Sequence, residues 1–177
     1  MFNEIVNAVS IDLHSATFAN CTNAFAMFSI SGSQASNAKC QTIDLRSAVF
    51  GIVPNITRFV GNQRKLTTLR LDSATFASVS TTTEWLYYCN LLSQLDVPQN
   101  STAILPTSTA ANAPMDLHFS PLTYTSMLKV ANWLSDLTGQ SAHTCTFKAT
   151  AWNALTAAEQ ATIQGILSGK NWTLATA

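Results

Sequence analysis

Charged residues are scarce in this 177-residue chain, at 10% of the sequence against about 25% in a typical domain. Nine basic residues balance nine acidic ones, so the formal net charge is zero. The chain therefore lacks the surplus of one sign that binding to nucleic acid or to an anionic membrane requires. We expect neither as a partner. A surface built instead from Ser, Thr, Asn and Gln is typical of an extracellular or particle-surface protein.

Long apolar runs are also missing. No stretch approaches the roughly 18 apolar residues of a membrane-spanning helix, so membrane insertion is not expected. The first ten residues, MFNEIVNAVS, show no basic segment, apolar segment and cleavage site of a secretory signal. We expect either a mature fragment of a secreted protein or a chain that reaches the outside without a signal, as a virion component released by lysis does.

Metal-site spacings are absent as well. No CxxC pair occurs, and the three histidines show no HExxH or comparable spacing. The four cysteines are expected to be free, buried thiols, because cysteine behaves as a small hydrophobic residue. They are Cys21, Cys40, Cys89 and Cys145. No metal or other cofactor is expected.

Catalytic signatures are equally hard to find. The chain contains no GxSxG, GxGxxG or P-loop sequence. Paired carboxylates for glycoside hydrolysis need a cleft, and those predicted here lie on an open sheet that cannot exclude water. The sequence therefore predicts no catalytic residues and a protein that is not an enzyme.

What the chain does contain is a repeat. SIDLHSATF at residues 10–18 recurs as TIDLRSAVF at 42–50 and as TLRLDSATF at 68–76. Weaker copies begin at the apolar positions Leu95, Leu117, Cys145 and Trp172, and successive copies start 22 to 32 residues apart. A period in the twenties is typical of leucine-rich repeats, which place one short strand in each turn of a solenoid.

Each copy can be interpreted physically. In TIDLR, Ile43 and Leu45 face one way while Thr42, Asp44 and Arg46 face the other, as in a half-buried strand. The Ser-Ala that follows turns the chain, and the closing Phe fills the next layer. One turn cannot bury its own apolar side, but stacked turns can. We therefore predict an α/β solenoid of the short leucine-rich-repeat kind, with a parallel sheet of about six or seven strands.

The outward positions of this sheet supply the candidate binding residues. Two neighbouring rows run across the predicted strands: Asp12, Asp44, Arg70, Asp96 and His118, and beside them His14, Arg46 and Asp72. Opposite charges fall next to each other along both rows, which favours this register. Two interpretations stay open, a charge ladder that only supports the fold and a face that binds a partner.

The connections differ along the chain. A short helix is predicted near residues 85–92, capped between Thr81 and Glu84, and the loosest loop at 99–114. Residues 120–139 are predicted to form an amphipathic helix ended by Gly139. A second helix is predicted from a Thr156–Glu159 capping box to a stop at Gly169. The chain is thus expected to be one domain, 1–177, with irregular repeats over 1–120, an irregular or helical convex side, and a helical capping region over 121–177.

Aromatic residues cluster outside the caps at Trp85, Tyr87 and Tyr88. Alternating aromatic residues beside leucines usually pack inward. A contact patch on the surface is the functional alternative, because tyrosine and tryptophan dominate binding hot spots.

The segments LDSATFASV, ATFANCTNAFAMFS and residues 126–177, SMLKVANWLSDLTGQSAHTCTFKATAWNALTAAEQATIQGILSGKNWTLATA, resemble the BspA-like leucine-rich repeat proteins of Bacteroides-type bacteria. The resemblance implies a non-enzymatic, surface-displayed module for adhesion or recognition, whose partner is a protein or glycan on another surface. Phages of the same bacteria carry similar modules. The alternative is therefore a virion structural protein, such as a head fibre, decoration or tail component, that self-associates into an oligomer. The expected location is a bacterial cell surface or a virion exterior.

Overall fold

A computed structural model describes residues 5–77, 79, 82, 84–99 and 114–177 of the chain. The predicted loop over 99–114 falls almost wholly outside the described residues. The strands are short, the α-helices of the described residues all lie in the last third of the chain, and one short 3-10 helix spans Ala35–Asn37. In chain order the elements are β1 Ser10–Asp12, β2 Thr17–Phe18, β3 Thr42–Asp44, β4 Val49–Ile52, β5 Thr68–Arg70, β6 Thr75–Ala77, β7 Gln94–Asp96, β8 Met115–Leu117, α1 Tyr124–Trp133, β9 His143–Phe147, α2 Ala149–Trp152, α3 Ala157–Gly169 and β10 Trp172–Thr176.

The first sheet contains β1, β3, β5 and β7 in that spatial order, all parallel. Its register places Ile11, Ile43, Leu69 and Leu95 opposite one another across the four strands. All four side chains are buried. The register predicted from the three strong copies and the first weaker one is therefore the register of the structure.

A second parallel sheet, β2–β4–β6, runs along the end of the same repeat. Phe18 pairs in register with Phe50, and their rings stack at a centroid distance of 4.9 Å. The side chain of Phe76, the third phenylalanine of the repeat, is outside the described part. Between the two sheets the chain bends sharply, so each of the three strong copies contributes one strand to each sheet.

The bend explains why Ser-Ala recurs. Ser15, Ser47 and Ser73 all have left-handed backbones, with φ of 60°, 56° and 58°. The amide of the following alanine donates to the carbonyl of the leucine three residues earlier, as in Ala48 to Leu45 at 3.0 Å. Ala48 and Ala74 are buried, so a larger side chain would have no room. Each copy thus encodes a strand, a tight turn and a buried corner.

Successive turns of chain also bond to each other beyond the sheets. The Phe28 amide donates to the Phe59 carbonyl at 2.8 Å, and the Val60 amide donates to the Trp85 carbonyl at 3.1 Å. The short helix predicted near 85–92 is absent, because Glu84 and Tyr88 have φ of 51° and 54°. A right-handed helix cannot pass through such residues, and this segment is a series of turns. Thr81, predicted to help cap that helix, lies outside the described residues.

The last three strands form a separate parallel sheet, β8–β9–β10, rather than extending the first one. The reason lies at the outer edge of β7, where α1 takes the pairing position. The Leu95 amide donates to the Ser126 hydroxyl at 2.9 Å, and that hydroxyl donates to the Ser93 carbonyl at 3.2 Å. The prediction of one ladder of six or seven strands is therefore wrong in this respect. The four-stranded sheet ends where a helix closes it.

The register of this third sheet is offset by two residues from the prediction. Leu117 pairs with Phe147 rather than Cys145, and Cys145 pairs with Leu174 rather than Trp172. Because side chains alternate with a period of two, the same residues still face inward.

The observed helices of the capping region agree only in part with the helices predicted from the sequence. Thr156 and Glu159 form the predicted capping box of α3. The left-handed residue after α3 is Asn171, with φ of 60°, rather than Gly169. Helix α1 ends at Trp133 instead of near Gly139, and the Lys170 ammonium donates to the carbonyls of Ala131, Asn132 and Leu134 at that end.

All four cysteines are free thiols; Cys40, Cys89 and Cys145 are buried as expected, whereas Cys21 is half-buried. Burial raises the pKa of Cys40 to about 11 and that of Cys89 to about 12. Both thiols are therefore protonated and unreactive at neutral pH. No described helix is long and apolar enough to cross a membrane.

Candidate functional site

Seven of the eight predicted binding residues belong to the first sheet and the turns that follow its strands. Asp12, Asp44, Arg70 and Asp96 are in register across the four strands. His14, Arg46 and Asp72 follow on consecutive layers, where the Ser15 amide donates to the Arg46 carbonyl and the Ser47 amide to the Asp72 carbonyl. We refer to these seven residues as the charge ladder.

Three of the seven ladder residues, Asp44, Arg46 and Arg70, form ion pairs within the charge ladder. The Arg46 guanidinium contacts both carboxylate oxygens of Asp44, with Nε at 3.0 Å from each and Nη2 at 2.7 Å from Oδ2. Arg70 Nη1 lies 3.8 Å from the same carboxylate. At the next strand, Asp96 accepts from Gln94 Nε2 at 2.6 Å and pairs with Lys129 of α1.

The ladder is consequently less open than the sequence indicates. The side chains of Asp44 and Asp96 point out of the sheet but are only 11% and 10% exposed. Long basic side chains lie across them, and Lys129 comes from a helix that the strand pattern alone does not connect to this face. The central charges of the ladder are therefore paired and covered, and fewer of them than the sequence indicates are free to contact a partner.

The acidic residue at each strand end also shapes the turn. The Asp12 carboxylate accepts the His14 amide at 3.0 Å, and the Asp44 carboxylate accepts the Arg46 amide at 3.1 Å. Asp116 repeats this bond with the His118 amide at 3.2 Å. Such bonds two residues along the chain stabilise turns, so these carboxylates have a structural role.

Two of the ladder's four aspartates, Asp44 and Asp72, have pKa values shifted in opposite directions. Burial alone would raise the pKa of Asp44, but the hydrogen bonds and charge of Arg46, with the charge of Arg70, outweigh it and lower that pKa. Burial, and then the charge of Asp96, raises the pKa of Asp72 against the charges of Lys129 and Arg46. Ionised Asp44 therefore stabilises the fold, whereas ionised Asp72 opposes it.

Replacing Asp44 by asparagine is expected to lower the free energy of unfolding by about 1–2 kcal/mol at neutral pH, because charge-assisted hydrogen bonds are lost. Asp44 contributes its stability above the ordinary pKa of 3.8. Asp44 loses that contribution as the pH falls through the lower pKa that it has in the folded protein. Urea unfolding at several pH values should therefore show the difference between wild type and D44N shrinking in acid.

The matched control is Asp72→Asn. Because the pKa of Asp72 is raised in the folded protein, ionisation of this carboxyl disfavours folding, and the cost is fully present once the pH exceeds that raised pKa. D72N should therefore be as stable as the wild type at neutral pH, or slightly more so. Equal losses for both variants would show that the ladder does not distinguish the two carboxylates.

His118, the eighth predicted residue, is not part of the charge ladder. It follows β8 and lies beside Phe119, with ring centroids 3.8 Å apart. Phe119 in turn lies 4.2 Å from Tyr88 and 5.3 Å from Tyr87. The separation of His118 from the other seven follows from the break between the two sheets.

Two arginines complete this group. The Arg58 guanidinium lies 5.1 Å from the Tyr87 ring centroid, and that of Arg64 lies 5.9 Å from the Tyr88 ring centroid. Both distances are within the range of cation–π attraction. We call the set the aromatic–arginine cluster: Arg58, Arg64, Tyr87, Tyr88, His118 and Phe119.

The backbone positions the cluster through the layer repeat. Arg58 and Glu84 are both left-handed, 26 residues apart, and Arg58 Nε donates to Glu84 Oε2 at 2.5 Å. Asn62 and Tyr88, also 26 residues apart, are left-handed too. Equivalent turns therefore stack, although their side chains share no sequence pattern. The stacking brings residues of three separate segments to one surface.

The electrostatics of the cluster are mixed. A hydrogen bond with Tyr88 raises the pKa of Tyr87, and the hydrogen bond with Glu84 raises that of Arg58. His118 Nδ1 lies 2.5 Å from Asp116 Oδ1. Within the described part of the chain no carboxylate pairs with exposed Arg64. The cluster thus presents half-buried aromatic rings and one unpaired guanidinium.

The three aromatic residues that cluster in the sequence have different environments in the structure. Trp85 is buried and packs 5.6 Å from Trp133, as a core residue. Tyr87 and Tyr88 are half-buried in the cluster. Sequence reasoning missed Arg58, Arg64 and Phe119, because only the stacking of layers brings them near the tyrosines.

No three His, Cys, Asp or Glu side chains of the described residues are placed to hold a metal ion. The cluster can make apolar, cation–π and hydrogen-bonded contacts with a partner, and this is the chemistry that it offers. No family model, no curated protein and no solved structure matches the chain.

Proposed function

We propose that the chain is a non-enzymatic recognition or adhesion module of the leucine-rich-repeat kind, which binds a protein or glycan on another surface. The observation that carries this proposal is the aromatic–arginine cluster. In a chain with only 9% aromatic and 10% charged residues, five such side chains meet at one surface together with His118.

The chemistry of the cluster supports a contact role. Tyrosine and arginine are enriched in the few residues that dominate binding free energy, and charged residues are depleted around them. Half-buried rings are already held in place by their neighbours, so little side-chain entropy is lost when a partner covers them. Arg64 adds a guanidinium that forms no ion pair and can donate hydrogen bonds to a carboxylate or hydroxyl of the partner.

The charge ladder is the weaker candidate for this contact. Its two arginines already pair with Asp44, and Asp96 pairs with Lys129, so a partner would have to break those pairs to use these charges. Exposed ion pairs contribute little by themselves. We therefore place the binding surface at the aromatic–arginine cluster and assign the ion-paired ladder residues, Asp44, Arg46, Arg70 and Asp96, to stabilisation of the sheet.

The test is a binding screen with the purified chain against immobilised glycans and surface-protein extracts of host cells. For any partner found, the double variant Tyr88→Ala/Phe119→Ala is expected to bind at least about 30-fold more weakly, as for loss of a hot spot of about 2 kcal/mol. The matched control, Asp12→Ala/His14→Ala on the ladder, should bind as the wild type does. Loss of binding in the control alone would overturn the assignment.

The alternative, a self-associating virion structural protein, is favoured by a different observation. Apolar side chains are exposed in the first layers, with Val9 at 57% and Phe25 at 53%. An open depression of about 340 Å³ in the first layer is lined by Thr17, Phe18, Ala19, Asn20 and Cys21. Exposed apolar surface favours association. A solution mass equal to one chain at micromolar concentration would count against this alternative.

A further inference from the structure

The strand β10 is an outer strand of the third sheet, and the described residues leave much of its free edge uncovered. The strand order is β10–β9–β8, so β10 pairs with β9 on one side only. Its five pairs with β9 are in continuous register, and Trp172–Thr176 contains no charged residue and no proline. Native proteins protect sheet edges with charges, prolines, bulges or covering elements. The edge of β7 is closed by α1, whereas β10 has no equivalent closure along its whole length.

Only the start of β10 is covered. The Trp172 indole nitrogen donates to the Ser135 carbonyl at 2.9 Å, and the Leu137 amide donates to the Lys170 carbonyl at 3.0 Å. The segment that follows α1 therefore lies against the beginning of the strand. Trp172 is only 3% exposed as a result, and the open part of the edge begins after this residue.

The backbone of the open part points away from β9. The Ala177 amide donates to the Phe147 carbonyl at 3.1 Å, and the Ala177 carbonyl accepts from the Ala149 amide at 2.8 Å. Backbone groups alternate between the two edges of a strand, so the amides and carbonyls of Leu174 and Thr176 point outward. Among the described residues no group bonds to them. Leu174 is half-buried and Thr176 is exposed, so two donors and two acceptors are open to a partner.

An antiparallel copy of the same strand satisfies all of these groups. With Ala175 opposite its own copy on a two-fold axis, Leu174 lies opposite Thr176 of the second copy, and such a pair exchanges two hydrogen bonds. The axis repeats this pair, and no like charges face each other because the strand is uncharged. Ala175 occupies the closely spaced position, with Cα atoms about 4.5 Å apart, where its small side chain fits. An axis at Leu174 would instead require the covered Trp172 to pair.

We propose that β10 pairs antiparallel with β10 of a second copy of this chain, about a two-fold axis at Ala175. The pairing joins two three-stranded sheets into one continuous sheet. A second copy is favoured over an unrelated peptide, because the axis makes every contact twice, whereas a peptide added to an edge needs side-chain pockets for its specificity. The dimer uses neither the aromatic–arginine cluster nor the exposed side chains of the first layers, so it goes beyond the proposed function.

Cysteine crosslinking of the full chain tests the position of the axis. Under mild oxidation Ala175→Cys is expected to form a covalent dimer on a non-reducing gel, because the Cα separation across the axis is one that a disulfide spans. Thr173→Cys, at an exposed position on the same face of the same strand, is the matched control. Its Cα would lie about 14 Å from its copy, four residues at roughly 3.4 Å each, which is too far for a disulfide. The wild type gives the background from the native thiols.

Sedimentation velocity from micromolar to submillimolar concentration measures the pairing without a crosslink. The wild type is expected to show a reversible monomer–dimer equilibrium. Thr176→Pro should weaken dimerisation at least about tenfold, because the axis removes two hydrogen bonds at once. The variant should still fold, since proline is tolerated where the amide of an edge strand points outward. Phe25→Ser, at an exposed position in the first layers, is the control and should dimerise as the wild type does.

Three results would each overturn the proposal: a wild type that stays a single chain at submillimolar concentration, equal crosslinking of Thr173→Cys and Ala175→Cys, or a dimer lost in Phe25→Ser but kept in Thr176→Pro. Circular dichroism checks the fold of Thr176→Pro, and the crosslinking pair decides the matter if that variant does not fold. Tyr88→Ala/Phe119→Ala should dimerise normally, which separates this proposal from the proposed function.

Discussion

Leu69→Ala is expected to lower the free energy of unfolding by about 2–5 kcal/mol, the range for removing a fully buried leucine side chain. Leu69 is fully buried, and it lies in register between Ile43 and Leu95 in the middle of the first sheet. The cavity would be enclosed by a layer on either side, so the neighbours cannot easily collapse into it. Urea unfolding followed by circular dichroism measures the change.

Leu91→Ala is the matched control for this prediction. It is the same substitution, but Leu91 is 47% exposed and lies in a turn. Its cost should stay below about 1 kcal/mol, because little area is returned to water and no cavity forms. Similar losses for the two variants would mean that the apolar column of the sheet is not the main source of stability.

Gly51→Ala is expected to destabilise the chain by about 3 kcal/mol or more, beyond the usual cost of overpacking. Gly51 lies in β4, where the first layer passes very close. A Cβ atom there would lie 2.2 Å from the Ala19 carbonyl oxygen and 3.1 Å from that of Cys21. Both obstacles are backbone atoms, so no side-chain rotation relieves them, and the first layer would have to move away from the second.

The same substitution at Gly165 should have the opposite sign. Gly165 lies within α3, and an added Cβ would meet nothing within 4 Å. Alanine is favoured over glycine inside a helix by about 0.5–1 kcal/mol, so G165A should raise the midpoint of urea unfolding. A neutral G51A would show that the first two layers are not in close contact at β4.

These four variants examine the fold without involving the proposed binding surfaces. If G51A separates the first layer while the rest stays folded, unfolding should become a two-step process, because each layer contacts mainly its neighbours. Binding through the aromatic–arginine cluster should survive in that case, since its residues belong to later layers. Loss of both together would indicate one cooperative unit.

For the predicted rows of charge, the repeat predicts the register of the residues but not whether their charges are accessible. Asp12, Asp44, Arg70 and Asp96 are in register as predicted, because alternation with a period of two leaves a strand no other way to bury Ile and Leu. Whether those charges are available was not visible in the repeat. Lys129 covers Asp96 from a helix 33 residues further along the chain.

The break after β7 shows the same limit. The Leu117 copy has the right alternation for a fifth strand of the first sheet, yet it pairs in another sheet. Ser126 decides this, because its hydroxyl satisfies the backbone of β7 that a fifth strand would otherwise use. No residue spacing in the sequence predicts that helix α1 will occupy the edge of β7.

Local sequence patterns were enough to predict three features: the four-strand register, the Ser-Ala corner and the Thr156–Glu159 capping box. Each depends on residues a few positions apart, whose alternation, turn geometry or hydrogen bonds are set by the backbone. Three other features arise from packing in the folded chain: where the first sheet ends, which charges are covered, and the meeting of Arg58, Tyr88 and Phe119. Those outcomes depend on how layers stack, and the contacts between layers join residues whose separation in the chain carries no repeating signal.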